Sequence, residues 1–144
     1  DQRQLMVNFN TRFSPRVMLF GFYANGHAQG DTDNAGSFPA NAYDLSTEYG
    51  RTSFDIRHRV LVGGMLRPRL FGLSFSPFVT WNSGGPFNIT TGRDANGDTI
   101  FNDRPSLAAG PGPGVLATPY GLFNLNPAAG EALIARNFAQ GPSM

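Results

Sequence analysis

FDIRHRVLVGGMLRPRLFGLSFSPFVTWNSGGPFNITTGRDANGDTIFNDRP, from Phe54 to Pro105, is the stretch whose reading decides the fold. Its opening alternates: Phe54, Ile56, Val60 and Val62 share one face of an extended chain, and Asp55, Arg57 and Arg59 the other. A short connection, Leu66 to Leu70, holds Arg67, Pro68 and Arg69. Beyond it Leu73, Phe75, Pro77, Val79 and Trp81 alternate with Ser74, Ser76, Thr80 and Asn82. An apolar face and a polar or small face repeating every two residues is the pattern of a β-strand. The stretch therefore predicts a hairpin of two strands, Phe54–Leu66 and Leu70–Ser83. Each covers roughly 10 residues, about what a tilted strand needs to cross a bilayer.

Outward from this hairpin the same period recurs. Leu5, Val7 and Phe9 alternate with Met6, Asn8 and Asn10, and Val17–Ala24 (VMLFGFYA) is apolar on both faces. Between them Thr11–Arg16 (TRFSPR) reads as a tight connection on Ser-Pro turn chemistry. Asn25 to Ser53 is a long polar segment rich in Gly, Asn and Asp. On the other side a short run, Phe87–Thr91, leads into an acidic loop, and the text after Pro105 is Gly/Pro-rich and irregular. Pro127–Arg136 is expected to hold one or two helical turns, and no closing strand is expected before Met144. The predicted fold class is all-β: an antiparallel meander of four to six long strands in one domain over residues 1–144. Its tight turns fall near 11–16 and 66–70, and its long loops near 25–53 and 84–127.

Composition agrees with that class. The chain has 13 Phe, 18 Gly and 11 Pro among 144 residues, with 15% charged residues, which favours β-structure with long loops over helices. Net charge is +1, so there is no electrostatic case for nucleic acid or an anionic membrane surface. All eleven basic residues are Arg. With no Cys there is neither a disulfide framework nor a thiolate site. No run of eighteen apolar residues and no signal segment occurs; the chain opens DQRQLMVNF, inside a strand pattern, as expected of a fragment or a processed product.

Short and long connections alternate along the chain, and loops above about 15 residues are uncommon in compact soluble domains. Tight periplasmic turns alternating with long extracellular loops are the habit of outer-membrane barrels. On that reading the apolar faces meet lipid, while Asp55, Arg57, Arg59, Ser74 and Ser76 face the lumen. Tyr23 and Trp81 then sit near the outer ends of their strands, in an interfacial aromatic girdle. The competing reading is a soluble antiparallel sheet with one face on a core. Four or five strands do not close a barrel, which takes about eight. An open edge in hydrocarbon leaves amides without partners, so further strands are expected in other sequence or other chains.

Two runs carry a family resemblance: AYDLSTEYGRTSFDIRHRVLVGG, and FVTWNSGGPFNITTGRDANGDTIFNDRP. Together they resemble the C-terminal part of the barrel of TonB-dependent outer-membrane receptors, most of all the Oar-like group with its carboxypeptidase-regulatory-like domain. The similarity covers nearly the whole chain, and NFAQGPSM resembles the approach to a late barrel strand. The resemblance implies a barrel of about 22 strands, a plug domain, and energised uptake or export in the outer membrane of a Gram-negative bacterium, with loops extracellular. The implied partners are lipid, the remainder of the barrel with its plug or neighbouring β-chains, and the TonB system through segments outside this chain.

The sharpest chemical expectation is a metal site in the acidic loop. Asp94, Asn96 and Asp98 put hard oxygens at positions 1, 3 and 5; Ile100 offers a backbone carbonyl, and Asn102 or Asp103 completes the shell. That pattern suits Ca²⁺, although Gly97 stands at position four and Pro105 at twelve, unlike an EF-hand. The competing reading is an Asx-turn loop whose carboxylates are solvated or paired with Arg93 and Arg104. His58 lies on the Ile56/Val60 face, which places it near a membrane interface or packed by neighbours; Asp55, Arg57 and Arg59 form a lumenal charge ladder. His27, with Asp31 and Asp33 nearby, reads as solvated loop rather than a metal site. No nucleophile elbow and no GxxxxGK phosphate loop is present, so an enzyme is not expected. The leading function is an outer-membrane transporter barrel segment. The alternative is a secreted or surface-attached calcium-binding β-module with an adhesive or self-assembling role.

Overall fold

A computed structural model describes residues 1–69 and 72–144. Among them the regular elements are β-strands and a single 3-10 turn, Leu45–Thr47. The chain divides into two compact bodies. One, the sheet body, comprises Gln2–His27, Asp55–Gly85 and Pro142–Met144. The other, the loop body, comprises Asp1, Ala28–Phe54 and Pro86–Gly141.

The sheet body is built on β1 (Gln2–Ser14) and β2 (Val17–Gly30), and, after the two-residue β3 (Gly50–Arg51) of the loop body, on β4 (His58–Leu66) and β5 (Phe78–Asn82). Their order is β1-β2-β4-β5, and the ladders from β2 to β4 and from β4 to β5 are antiparallel. The final residue of β2, Gly30, lies opposite Gly50 in the short β2–β3 ladder. Register fixes the faces. Tyr23 lies opposite Val60, which lies opposite Trp81; the next row on that face is Gly21, Val62 and Val79. The other face carries Ala24, Arg59 and Asn82, then Phe22, Leu61 and Thr80, then Phe20, Gly63 and Phe78.

The polar face is thus narrower than the sequence suggests, being polar near Arg59 and Asn82 and aromatic below. Phe78 and Val79 point to opposite sides and are 73% and 67% exposed. In water each side chain left out this way forgoes about 1.5–3 kcal/mol of burial. Among the described residues β1 and β5 each have one neighbouring strand; the β5 edge is met at Asn82, which exchanges backbone hydrogen bonds with Met144 at 2.7 and 3.0 Å, and both outer edges carry open backbone groups elsewhere.

Two rings cover glycines within the sheet. A Cβ on Gly63 would fall 2.5 Å from Cζ of Phe20, and one on Gly21 would fall 2.7 Å from Cζ of Phe9 and 2.3 Å from the Leu61 carbonyl oxygen. An aromatic ring laid over a glycine recovers packing that the missing side chain would lose.

Element bounds differ from the sequence pattern in definable ways. Thr11–Ser14 belong to β1, whose Thr and Phe suit a strand, so the connection shrinks to Pro15–Arg16, where the Arg16 amide donates to Ser14 Oγ at 3.2 Å. β4 starts at His58 rather than Phe54, because Asp55 is drawn into burial. The second hairpin strand is interrupted: Leu66 bridges Phe75, and the ladder resumes at Phe78, since Pro77 between them has no N–H to give. The expected turn at Leu66–Leu70 and the start of the strand at Leu70 fall partly on residues 70 and 71, outside the described residues.

In the loop body, β6 (Pro86–Phe87) pairs with β10 (Ala139–Gln140), a closing strand that the sequence reading lacks. The expected run to Thr91 is only these two residues of β6. The segment that reads as irregular after Pro105 holds a three-stranded sheet of β7 (Ser106–Leu107), β8 (Val115–Thr118) and β9 (Gly121–Asn124), in the order β7-β9-β8. No helix forms at Pro127–Arg136. Gly130 takes φ 83°, and the Glu131 side chain turns back to accept from the Ala128 amide at 2.8 Å, closing a turn instead. The small apolar core of this body is Phe123, fully buried and edge-on to Phe138 at 6.0 Å, with Ile134 and Ala139. No helix among the described residues is long and apolar enough to cross a membrane, so any crossing belongs to the strands.

Candidate functional site

One of the two buried polar clusters of the loop body draws its side chains, Asp44, Glu48 and Arg104, from the two runs that read as family motifs. Asp44 caps the 3-10 turn by accepting from the Ser46 amide at 2.9 Å, and its carboxyl is held below the usual range by the Ser46 side chain first and the Ser46 amide second. The turn delivers Glu48 to the interior. There Arg104 donates through one terminal nitrogen to Glu48 Oε1 at 2.9 Å and to the Thr47 carbonyl at 3.0 Å, while the Ala40 amide donates to the same Glu48 oxygen at 3.1 Å. Arg104 is 1% and Glu48 3% exposed. Taking two charges out of water costs several kcal/mol per ion unless geometry and further hydrogen bonds compensate. The pair ties the 40–48 arch to the 103–105 segment, with Arg104 Nε buried and without a hydrogen-bond partner.

A second buried cluster lies in the same body. Asp33 accepts from the Ser53 amide at 2.7 Å, and Arg136 lies 3.7 Å from it. Arg136 also donates to the Gly30 carbonyl. Asn137, at φ 52°, donates its side-chain amide to the Arg51 carbonyl at 2.7 Å, and its backbone amide donates to Asn88 Oδ1 at 2.7 Å. Gly50 is needed beside it, because a Cβ there would fall 2.9 Å from the Arg136 carbonyl oxygen.

The acidic loop is knitted by its own side chains. Asp94 Oδ1 accepts from the amides of Gly97 at 2.7 Å and Asp98 at 3.1 Å, and Oδ2 from Thr99 at 2.9 Å. Asn96 Oδ1 accepts from the Asp98 amide, Asp98 Oδ1 from the Ile100 amide, and Asp103 Oδ2 from the Ala95 amide at 2.6 Å. Asn96 and Asn102 aim their NH₂ groups at the carbonyls of Ala40 and of Phe38 and Pro39. Among the described residues no three His, Asp or Glu side chains form a cluster. The arrangement supports the Asx-turn reading, but not through the neighbouring arginines: Arg93 donates to Asn126 and Arg104 to Glu48.

In the sheet body the expected charge ladder is split. Only Arg59 stands in a strand, between Ala24 and Asn82. Asp55 is 1% exposed, with one oxygen 3.4 Å from His27 Nδ1 and the other 3.5 Å from Arg57 Nε. His58 Nδ1 shares a 2.8 Å hydrogen bond with Tyr23 Oη, and the two rings stack at 6.0 Å. The face bearing Tyr23 and Trp81 in one row thus includes His58 as well. Glu48, Arg136 and Asn137 escape sequence reasoning, since their partners lie tens of residues away; Arg104 pairs with Glu48 and not with the carboxylates of the acidic loop.

A family model described as Outer membrane beta barrel domain matches residues 3–143. No curated protein matches the chain, and no solved structure matches it.

Proposed function

Because this chain belongs to the outer membrane beta barrel domain family, we propose that it forms part of the barrel of a TonB-dependent receptor of the Oar-like group. Such a barrel moves a cargo inward or outward across the outer membrane of a Gram-negative bacterium, by binding and passage rather than by chemistry on the cargo. The observation that carries the reading is the β1-β2-β4-β5 sheet, whose Phe78 and Val79 stand exposed on opposite faces and whose outer strands each have one neighbouring strand among the described residues. A closed barrel resolves both features: lipid covers the Val62/Val79 face, and further strands pair the edges. Tyr23 and Trp81 in one cross-strand row then form a stretch of the interfacial girdle. Arg59, Thr80 and Asn82 look into the lumen, and the loop body lies outside the cell. The meeting of Glu48 and Arg104, one from each motif run, supports the finer assignment. Plug and TonB contacts belong to segments outside this chain.

The absence of Cys in this chain makes single-cysteine labelling the test. In cells producing the full receptor, Val62→Cys and Val79→Cys are expected to resist a water-soluble maleimide, while Thr80→Cys and Asn82→Cys react. Equal labelling of both sets would overturn the barrel reading. Cargo flux that survives collapse of the proton-motive force would leave the barrel standing and remove the TonB assignment.

A further inference from the structure

We infer that the sheet body seats one anionic glycerophospholipid on its apolar face, an acyl chain lying in a groove between strands and the phosphate among the arginines at the tight-turn end. This deepens the barrel reading by naming a lipid class and its seat, and it rests on that reading for the face that meets lipid. The net charge of +1 conceals a segregation. The sheet body carries seven arginines and a single acid, Asp55, whereas the loop body carries four arginines and nine acids.

Register builds the groove. Val17, Leu66 and Phe75 stand in one cross-strand row, Leu19 and Gly64 in the next, and Gly21, Val62 and Val79 beyond, all on the face of Tyr23, Val60 and Trp81. Gly64 has no side chain to fill its place in the row. A cavity of about 240 Å³ opens there, walled by Phe13, Leu19, Val62 and Val79, with Val17 and Leu66 nearest the turns. A second cavity, of about 520 Å³, shares Val17 and Leu66 and adds Phe75, Arg16, Arg67 and Arg69. The apolar groove thus runs into a basic end.

Those arginines have no acid to neutralise them. The Arg67 amide donates to the Arg16 carbonyl at 2.9 Å, which sets the two residues side by side, and neither they nor Arg69 form an ion pair among the described residues. Asp55 lies beyond the far end of β4, against His27 and Arg57. Like charges gathered at one end repel one another until an anion sits among them. Guanidinium forks match phosphate oxygens bidentately. A free anion would leave the groove without an apolar occupant. A zwitterionic headgroup would bring its own cation to compete with the arginines. An anionic phospholipid supplies both the chain and the uncompensated charge.

The test is native mass spectrometry of the purified full-length receptor in neutral detergent, with phosphatidylglycerol, phosphatidylcholine and inorganic phosphate as probes. Phosphatidylglycerol is expected to bind roughly tenfold or more tightly than phosphatidylcholine, and phosphate at equal concentration should not displace it. Arg16→Gln, Arg67→Gln and Arg69→Gln should each weaken phosphatidylglycerol by about fivefold, and the triple variant should lose the preference. Arg59→Gln, which removes the same charge near the opposite end of β4, should keep it. The three turn-end arginines are exposed, so these variants spare the fold. Equal retention of the two lipids, displacement by equimolar phosphate, a preference that survives the triple variant, or an Arg59→Gln loss as large as the triple variant's would each overturn the inference. Cysteine labelling of Val79 and Thr80 reads the barrel assignment separately, so the two fail independently.

Discussion

Breaking the Glu48–Arg104 pair from one side is the perturbation with the largest expected effect. In Arg104→Met the Glu48 carboxylate stays buried, supported only by the Ala40 amide; in Glu48→Leu the guanidinium keeps only the Thr47 contacts. Removing one partner of a buried pair costs about 3–5 kcal/mol. At about 1.4 kcal/mol per tenfold, local opening of the loop body should rise by roughly two to three and a half orders of magnitude. The double variant removes both charges and is expected to cost less than either single change, because no unpaired ion remains. Hydrogen exchange on the purified receptor reads this at the Thr91 amide, which is bonded to the Asp103 carbonyl at 2.8 Å beside Arg104. Single changes costing below about 1 kcal/mol, or a double variant as costly as the sum of the singles, would show that the pair is solvated and does not hold the arch.

Gly21→Ala should cost about 1–3 kcal/mol of barrel stability, because its Cβ would meet the Leu61 carbonyl oxygen at 2.3 Å, and backbone cannot give way as a side-chain tip does. Gly26→Ala, whose Cβ meets only the Ile56 carbonyl oxygen at 3.3 Å, should cost less; equal urea midpoints for the two would refute the packing argument. Glu131 is held below the usual carboxylate range, first by the Ser106 hydroxyl and then by the Ala128 amide. A depressed folded pKa contributes stability above the unfolded value and loses it as pH falls through the folded one, so acid should loosen the turn at 128–131. Glu131→Gln should flatten that acid dependence in an exchange series, and an unchanged series would count against it. In the acidic loop, Asp94→Ala removes the acceptor of three amides and should open the loop by about 1–3 kcal/mol, whereas a chelator should leave its protease resistance unchanged. Calcium-dependent protection would instead restore the cation expected from the spacing.

What the sequence disclosed and what it withheld divide along one physical line. Alternation at Val60–Val62 and Val79–Trp81 is a local signal and marks an apolar face on each strand; that Tyr23 shares this face comes from the register, because β2 reads as apolar on both faces. The short strands β7, β8 and β9 have no such signal, because two to four residues are too few to show a period. The helical turns expected near Glu131 were a misreading of spacing, overruled by Gly130 and by the use of the carboxylate as a turn acceptor. The oxygens of Asp94, Asn96 and Asp98 were visible as a cluster, but whether amides or a cation occupy them depends on the path of the backbone. Arg104 was visible only as a charge; its partner stands 56 positions away.

A long connection without regular strands leaves backbone amides and carbonyls that need partners. The loop body has little apolar core, with Phe123, Ile134 and Ala139 among its few buried hydrophobic residues. It must therefore satisfy its backbone with side chains: Asp94 for three amides, Asn102 for two carbonyls, Asn137 and Arg136 for the carbonyls at Arg51 and Gly30. Each such bond depends on one atom at one place, so Asn, Asp and Arg positions tolerate change less than the sheet's valines, which need only bulk and a face. The sheet is specified by a pattern and the loop body by particular residues.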